Sequence, residues 1–549
     1  MTPQVTPALR RATADHPTLL RSAGAVLAGV ATGLGQAPAG WWPLVIPGVA
    51  ALTLLVGRVR PRTALGLGYL YGLAMFTTTI WWVHVVAWPA ALVLIAFMAC
   101  WSMLTGWGIR MVQGLPLTPL WAACVWSAAE VGAARVPIGG FGWVRLAWTA
   151  VDTPIAGTLR WIGVTGVSLL VALAGQLLAE TVRPRTGHGQ RGNGERRAND
   201  SRGRLSGRMV PGVSLVAVLV VASLAGEWTV GWADRQVSQE PTGPRVMVVQ
   251  GGVDGTAGSY AMGYARSVTQ NHLSQTIAAI AAQRAAGEPA PDMVLWPENS
   301  TDIDPVKDFQ TRTLVTTATR IAERPILVGA VTEGPGPDER QTTAMWWPVD
   351  AQGPTGVYHK RNLVPFGEWI PWRSTLLPLL PVLAHVGRQS VPGTGPGVIE
   401  ASIGGRRMTI GDVICFELAY DGTVYDTVRN GAQLLMVQSN NATYTRTGQP
   451  YQQWQITRAR AIETGRQIVV STTSSLSGLI SPGGQVRDRT AEGGHAWRMY
   501  TVAIGSGVSA GVKASPVIGL ASVVVAVLAV LVGVARSGWR PWRRGAGLG

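Results

Sequence analysis

The sequence predicts an α/β domain carried on a polytopic α-helical membrane domain of about eight transmembrane helices. Two observations lead to this fold class. The chain of 549 residues is 47% hydrophobic and only 14% charged, and it contains 23 tryptophans, a composition typical of membrane proteins. Between residues 244 and 505, by contrast, strand-like and helix-like patterns alternate, which indicates an α/β sheet covered on both faces.

The membrane domain is predicted from its apolar segments. A helix needs about 20 residues to cross the hydrocarbon core, and the first two candidates are short or interrupted by glycine and proline. The first could be a signal peptide, but the spans behind it and the lack of a clear cleavage site disfavour that. The candidate spans lie at 23–38, 42–57, 64–84, 88–108, 117–134, 157–180, 212–232 and 515–535. The domains are therefore a membrane domain at 1–232, the α/β domain at 244–505, a C-terminal transmembrane helix at 515–535 and a basic cytoplasmic tail at 536–549.

The basic charge of the chain orients these spans. Residues 244–505 hold 22 Lys and Arg against 21 Asp and Glu, so the net charge of +16 belongs almost entirely to the apolar part. With the N-terminus in the cytoplasm, 19 basic residues fall in cytoplasmic segments and 5 in outer ones, as the positive-inside rule requires. We therefore expect a multi-pass protein of the cell membrane, with the α/β domain on the extracytoplasmic face. A nucleic-acid partner is not expected, since the basic residues belong to the membrane part.

Three connecting segments carry expectations of their own. The linker at 183–211 is polar and rich in Gly and Arg, so it is predicted to be disordered and cytoplasmic. The outer loop 137–148 contains Trp143 and Trp148, which could line a lipid-facing entrance or equally belong to an interfacial aromatic belt. The run 368–386 is apolar for an exposed loop. We hypothesise that it dips into the outer leaflet and guides lipid; packing under a long loop of the same domain is the alternative.

The α/β domain contains six strand-like runs. Active groups in such folds gather at the carboxyl ends of strands, and Glu298, Cys415 and Asn440 each occupy such an end. These three residues therefore form a candidate site. The runs are RVMVVQGG, DMVLWPENS, RPILVGAVTE, MTIGDVICFELAY, AQLLMVQSNNATY and RQIVVSTTSS, with helix-like runs at 267–286 and 451–465.

Cys415 could be a buried small hydrophobe, half of a disulfide, a metal ligand or a nucleophile. The other two cysteines, Cys100 and Cys124, lie in predicted spans, so a disulfide partner is lacking. No further Cys or His lies close in sequence to complete a metal site, and we expect no metal. A single unpaired thiol outside the cytoplasm is prone to oxidation, which favours a nucleophile over an idle buried residue. A nucleophilic thiolate needs a base or a positive field nearby.

Two residues could activate that thiol. Glu298, which lies beside Trp296, could have a raised pKa and take the thiol proton; a surface acid at a strand end is the alternative. Lys360 and Lys307 are the only lysines of the α/β domain. A compact ammonium at Lys360 could stabilise an oxyanion, or it could be an ordinary loop charge. Glu368 follows eight residues later, where it could hold Lys360 or contact the substrate.

Four motifs in this order resemble the nitrilase superfamily, whose triad is Glu–Lys–Cys. They are LWPENS, HKRNLVPFGEWIP, GDVICFE and TRARAIETGR. Combined with the flanking spans, the stretch KRNLVPFGEWIPW resembles specifically the apolipoprotein N-acyltransferase family. The resemblance covers nearly the whole chain.

The resemblance implies a nitrilase-like αββα sandwich seated on an eight-helix membrane domain. It also implies acyl transfer from a membrane phospholipid, through a thioester on Cys415, to diacylglyceryl-modified apolipoproteins. Glu298 is then the general base and Lys360 the electrostatic stabiliser, with no metal or organic cofactor. The implied partners are the phospholipid donor, the apolipoprotein and the lipid bilayer. The supporting or substrate-binding residues are Glu368, Phe416, Glu417, Asn440 and Trp296, with Phe416 offering a backbone N–H to the oxyanion.

Three departures from the family pattern lie outside the triad. The family often shows SNDAWFG where this chain has Asn441 and Thr443, often shows His where Gln453 stands, and has TNNG where this chain has TTSS at 472–475. These changes affect the expected recognition of acyl chain and lipoprotein, not the reaction. A membrane-tethered amidase that uses water would need the same triad, and a catalytically dead lipoprotein-binding platform would need none of it. The apolar spans disfavour the amidase, and the intact triad disfavours the platform.

Overall fold

The computed structural model describes residues 7–183, 197–238, 243–255 and 265–537. The N-terminal part is helical. Four described segments are long and apolar enough to cross a membrane by length and composition, Trp88–Val112, Ala156–Val182, Val210–Gln236 and Ala510–Ser537, and Trp42–Val56 is a shorter apolar helix. The count of about eight transmembrane helices therefore stays a prediction. The helices of this part are α1 (Pro7–Gly33), α2 (Val45–Val56), α3 (Pro61–Ile80), α4 (Trp88–Val112), α5 (Thr118–Ala133), α6 (Leu159–Val182) and α7 (Arg197–Ser238).

The segment expected to be a disordered linker lies partly outside the described residues, at 184–196. The structure differs from the expectation beyond that gap, because α7 begins at Arg197 and so covers much of 183–211. Extending an existing helix costs little compared with starting one. The helix formed by the apolar turns of α7 can therefore continue into the preceding polar segment, which its composition alone predicts to be irregular.

Two sheets form the α/β domain. The first has seven strands in the order β13-β1-β2-β3-β4-β5, with β6 paired to β4, and the second has six in the order β12-β11-β10-β9-β8-β7. In the first sheet β1, β2 and β3 are parallel, and in the second β8, β9 and β10 are parallel. In chain order the elements are β1 (Arg245–Gln250), α8 (Ser267–Ala285), β2 (Met293–Leu295), α9 (Phe309–Ala322), β3 (Ile326–Glu333), β4 (Glu339–Trp347), β5 (Gly356–His359), α10 (Arg373–Leu379), β6 (Gln389–Ser390), β7 (Val398–Ile403), β8 (Arg406–Ile414), α11 (Asp421–Arg429), β9 (Leu434–Ser439), α12 (Gln449–Thr464), β10 (Ile468–Thr472), β11 (Gly478–Ile480), β12 (Val486–Arg489) and β13 (Ala496–Thr501), before the last helix α13 (Ala510–Ser537).

The sheets pack face to face, with helices on their outer faces. Val248 of β1, Leu295 of β2 and Ile410 of β8 share one core between the sheets. A second core joins the outer face of the first sheet to α8 and α9, through residues such as Val249 and Ala318. Each sheet is therefore covered by helices on one face and by the other sheet on the second face, which is the αββα arrangement that the motifs imply.

A third core has no boundary between the two parts of the chain. It contains Val437 of β9 and Ile456 of α12 together with Val164 of α6 and Leu52 of α2. Burial of apolar area stabilises by about 25 cal/mol per Å². The continuous contact therefore fixes the outer face of the second sheet against the membrane helices.

The tryptophans of the loop 137–148 lie inside this contact. Trp143 and Trp148 are 2% and 0% exposed, so neither expectation, an open lipid entrance or an interfacial belt, describes them. Trp143 stacks on Phe416 with ring centroids 5.6 Å apart. Its indole N–H and that of Trp82 both donate to Oε1 of Gln452, at 2.8 and 2.9 Å. Gln452 of α12 thus connects the segments that carry Trp82 and Trp143 in the helical part to the α/β domain. Sequence composition cannot reveal this contact.

Candidate active site

Side chains from both sheets meet at one edge of the sandwich. Glu298 follows β2, Lys360 follows β5, and Cys415 and Asn440 follow β8 and β9. The facing sheets thus bring their strand ends together, as the strand-end rule predicts. Glu298 and Lys360 are 3% and 2% exposed, so these charges lie in a nearly dry site.

The Lys360 ammonium lies between two carboxylates. Its Nζ donates to Oε1 of Glu298 and to Oε1 of Glu368, both at 2.9 Å. The remaining oxygens accept backbone N–H groups, Oε2 of Glu298 from Asn440 at 2.7 Å and Oε2 of Glu368 from Val364 at 2.7 Å. Burial lowers the pKa of Lys360, but the two carboxylates outweigh it and raise that pKa well above its ordinary value. Lys360 is therefore a fixed positive charge rather than a base.

Glu298 combines burial with an ion pair. Burial raises the pKa of its carboxyl above the ordinary value, against the opposing field of Lys360. A raised pKa strengthens the carboxylate as a base for the thiol proton. Asn440 contributes here through its backbone N–H, while its side-chain Oδ1 accepts the Thr473 hydroxyl at 3.0 Å.

Cys415 occupies a strained position at the start of a 3-10 turn, Cys415–Ala419, which we call the nucleophile turn. Its φ of +54° lies in the left-handed region, which costs a non-glycine residue about 1–3 kcal/mol and is common at active sites. The turn is held by the fully buried carboxylate of Glu417. This carboxylate accepts the Ile414 N–H at 2.9 Å, the Arg361 N–H at 2.6 Å and the Tyr358 hydroxyl at 2.9 Å. Glu417 thus joins the nucleophile turn to the loop that carries Lys360.

The thiol has few polar neighbours. Its Sγ lies 4.0 Å from Oδ1 of Asn441. Burial, and next the field of Glu298, raise the pKa of Cys415 to about 12, while Lys360 and a hydrogen bond from Ser439 lower it. Gln453 donates to the Ser439 hydroxyl, and its own Oε1 accepts from Gln449 at 3.0 Å. The glutamine that stands where the family often has histidine is therefore part of the site, because it orients Ser439 beside the thiol.

The remaining expected residues differ in their placement. Phe416 lies within the nucleophile turn, and its ring packs on Trp143 and on Phe141, 5.8 Å away. Trp296 is fully buried on the helix-facing side of the first sheet, where its indole donates to Thr276 at 3.0 Å. Trp296 therefore packs the core beneath the site rather than lining it, since strand neighbours point to opposite faces.

Sequence reasoning missed Ser439 and Tyr358. Ser439 ends β9 one residue before Asn440, so the strand-end rule itself could have included it. Tyr358 contacts Glu417 only because β5 faces the second sheet, and no local pattern records that contact. Among the described residues, no group of three or more His, Cys, Asp and Glu side chains could hold a metal ion.

Comparison with known proteins agrees with this geometry. Residues 28–177 match the apolipoprotein N-acyltransferase N-terminal domain, and residues 256–487 match the carbon-nitrogen hydrolase family. An apolipoprotein N-acyltransferase of Mycolicibacterium smegmatis is 31% identical over 525 residues, which cover 94% of this chain and 85% of that protein. The chain belongs to the apolipoprotein N-acyltransferase family. The resemblance expected from the four motifs is thereby confirmed.

Other members of the apolipoprotein N-acyltransferase family are more distant. A Vibrio parahaemolyticus protein of that name is 23% identical, covering 86% of this chain and 89% of its own length. One from Neisseria meningitidis is 25% identical, with coverages of 82% and 88%. Among solved structures, an amidase from Nesterenkonia sp. is 17% identical, covers 50% of this chain and 94% of its own, and has a TM-score of 0.34. The carbon-nitrogen hydrolase match and the two sheets confirm the nitrilase-like fold.

The raised pKa of the thiol makes its reactivity depend on pH. Because the pKa of Cys415 is about 12, the thiolate fraction rises with pH throughout the neutral range. We expect alkylation of Cys415 by iodoacetamide, followed by peptide mass spectrometry, to accelerate about tenfold per pH unit between about pH 7 and 10. A plateau below about pH 8.5 would contradict this expectation. In a Glu298→Gln variant the curve should move to lower pH, because the carboxylate that raises the thiol pKa is gone.

Proposed function

We propose that this protein transfers a fatty acyl chain from a membrane phospholipid to the α-amino group of S-diacylglyceryl-cysteine at the N-terminus of bacterial lipoproteins. The observation that carries the proposal is the buried Lys360 ammonium, held at 2.9 Å by both Glu298 and Glu368 beside the thiol of Cys415. The relatives that cover most of the chain carry the name of this activity. The contact of the site with apolar helices supports a lipid as acyl donor.

In the first half-reaction, the Cys415 sulfur attacks the ester carbonyl of the phospholipid while Glu298 takes the thiol proton. The tetrahedral oxyanion is met by the Lys360 ammonium and by the backbone N–H of Phe416. One such donor is worth about 3 kcal/mol in comparable sites. The C–O bond then breaks, Glu298 protonates the departing alcohol of the lysophospholipid, and an acyl thioester remains on Cys415.

In the second half-reaction, the amine of the apolipoprotein attacks the thioester carbonyl. Glu298 takes a proton from the attacking nitrogen, the C–S bond breaks, and the proton passes to the Cys415 sulfur as the amide leaves. Two half-reactions through one nucleophile give ping-pong kinetics. The triad of Glu298, Lys360 and Cys415 supplies the base, the positive charge and the nucleophile, and no cofactor is involved.

The thioester is the species to trap. After incubation of the full-length protein with a palmitoyl phospholipid, we expect a hydroxylamine-sensitive palmitoyl group on the peptide containing Cys415. Lys360→Met should slow its formation by about 100-fold or more, because an oxyanion donor is lost. Cys100→Ala is the matched control and should acylate normally.

Absence of the adduct from the wild-type protein would refute the thioester route. Mass spectrometry of lipoproteins from a deletion strain separates transfer to an amine from hydrolysis by water. Loss of a third acyl chain supports the transferase, and its full retention contradicts it.

The topology is a second part of the proposal, in which the α/β domain lies outside the cytoplasm of a multi-pass protein in the cell membrane. Gln485, exposed in the turn after β11, and Arg60, exposed before α3, would then lie on opposite sides. In intact cells, a membrane-impermeant maleimide should label a Gln485→Cys variant and spare an Arg60→Cys variant until the cells are permeabilised. The reverse labelling would overturn the assignment.

The third part of the proposal is that the apolar arm at 368–386 enters the outer leaflet of the membrane. It forms α10 and a following 3-10 turn, and Trp372, Leu379 and Leu380 are 67%, 71% and 49% exposed. This exposure supports entry of the arm into the outer leaflet, because a large apolar patch facing water marks an interaction surface.

Charged residues in the arm test that role. Asp substitutions at Leu376, Leu377 and Leu380 should reduce thioester formation from phospholipid vesicles by about tenfold, since buried charge is costly in hydrocarbon. Val349→Asp, an exposed apolar site after β4, is the control and should have no effect. Full turnover by the arm variants would count against membrane entry.

A further inference from the structure

A buried chain of charges connects the helical part of the protein to the nucleophile turn. Asp421, the first residue of α11, accepts from two arginines: Arg145 at 2.9 and 3.0 Å and Arg460 at 2.7 Å. Arg460 of α12 also pairs with Glu463 at 2.6 Å. The side chains of Arg145, Arg460 and Glu463 are 1%, 0% and 0% exposed, and that of Asp421 is 9% exposed. Arg145 also lies 3.8 Å from Glu130, whose side chain is 12% exposed, so two guanidinium groups and three carboxylates are held largely away from water.

The two ends of this chain of charged side chains contact different parts of the protein. On one side Arg145, in the loop between α5 and α6, donates to the Thr165 hydroxyl of α6 at 2.9 Å. Glu463 accepts the backbone N–H of Val164 at 2.8 Å. Both guanidinium groups lie over the ring of Trp148, 5.6 Å from its centroid for Arg145 and 5.1 Å for Arg460. Every one of these contacts crosses from the helical part to the α/β domain or supports a group that does.

At its other end, the chain of charged side chains contacts the nucleophile turn itself. The Arg460 Nε donates to the carbonyl of Leu418 at 2.9 Å, three residues after Cys415. Asp421 begins α11 two residues after the turn ends. Arg145 and Asp421 therefore link the nucleophile turn to the helical part, whereas the turn itself is held by the hydrogen bonds of Glu417.

We propose that Asp421, bound by Arg145 and Arg460, is a positioning residue that sets the nucleophile turn in register with the membrane helices, so that Cys415 meets the ester of a lipid still held in the bilayer. The inference rests on the proposed function. A buried ion pair adds little net stability over apolar packing but fixes a geometry, since either partner alone is strongly unfavourable. A soluble ester reaches the thiol by diffusion and does not depend on that register, whereas a bilayer lipid does.

The test compares two acyl donors on one enzyme. Full-length Arg145→Gln protein loses the cross-contact but keeps the Arg460–Asp421 pair. The rate of Cys415 acylation is measured with phospholipid vesicles and with soluble p-nitrophenyl butyrate. We expect a loss of about 10-fold or more with vesicles, because a displacement of about 1 Å can cost 100-fold, and a change within about twofold with the soluble ester.

Asp152→Asn is the matched control. It removes another contact between the same two parts, Arg458–Asp152 at 2.7 Å, in which Asp152 is 53% exposed. Such exposed pairs contribute little, so both rates should stay within about twofold. Arg145→Lys retains the charge and should restore part of the vesicle rate. It replaces Arg145→Gln in the comparison if that variant does not accumulate.

Equal losses with both donors, or no loss with vesicles, would overturn the proposal, because the first indicates a general structural role and the second indicates none. A wild-type protein that forms no acyl-enzyme from phospholipid would instead refute the proposed function. The two failures are therefore distinguishable.

Discussion

The site depends on one buried cation that is shared by two carboxylates. Lys360 is 2% exposed, and such a charge is tolerable in a dry interior only when it is paired and hydrogen-bonded. Glu298 and Glu368 meet it at 2.9 Å each, and backbone N–H groups of Asn440 and Val364 occupy their other oxygens. Fixing the ammonium thus fixes the Glu298 carboxylate beside it and the two loops that supply the N–H groups.

A second constraint on the structure is the continuous apolar core that joins the second sheet and its helix α12 to the membrane helices. Val437 and Ile456 belong to the same buried cluster as Val164 and Leu52, so the α/β domain has no separate inner surface there. Polar links cross the same contact, among them Gln452 with its two tryptophan partners. This contact therefore fixes the position of Cys415 relative to the apolar helices.

Local patterns predicted much of the architecture. All six strand-like runs contain a strand, and the helix-like runs at 267–286 and 451–465 correspond to α8 and α12. The antiparallel strands β4, β5, β7 and β11–β13 were not predicted. The sequence of β4, ERQTTAMWW, shows no clean alternation, whereas that of β7, VIEASI, does alternate and was missed. Strand pairing depends on neighbours distant in sequence, which a window of residues does not contain.

The sequence by itself determined a candidate set of reactive residues and that an α/β unit accompanies apolar helices. Strand ends, the rare lysine and the single cysteine outside the predicted spans are all local features. Only the tertiary structure decided that Trp296 packs the core, that Trp143 and Trp148 are buried, and that Gln453 donates to the Ser439 hydroxyl beside the thiol. It alone assembled Arg145, Asp421 and Arg460. The reason is physical. The charge and shape of a side chain follow from its residue type, whereas its burial and its partners depend on elements that meet only in the folded protein.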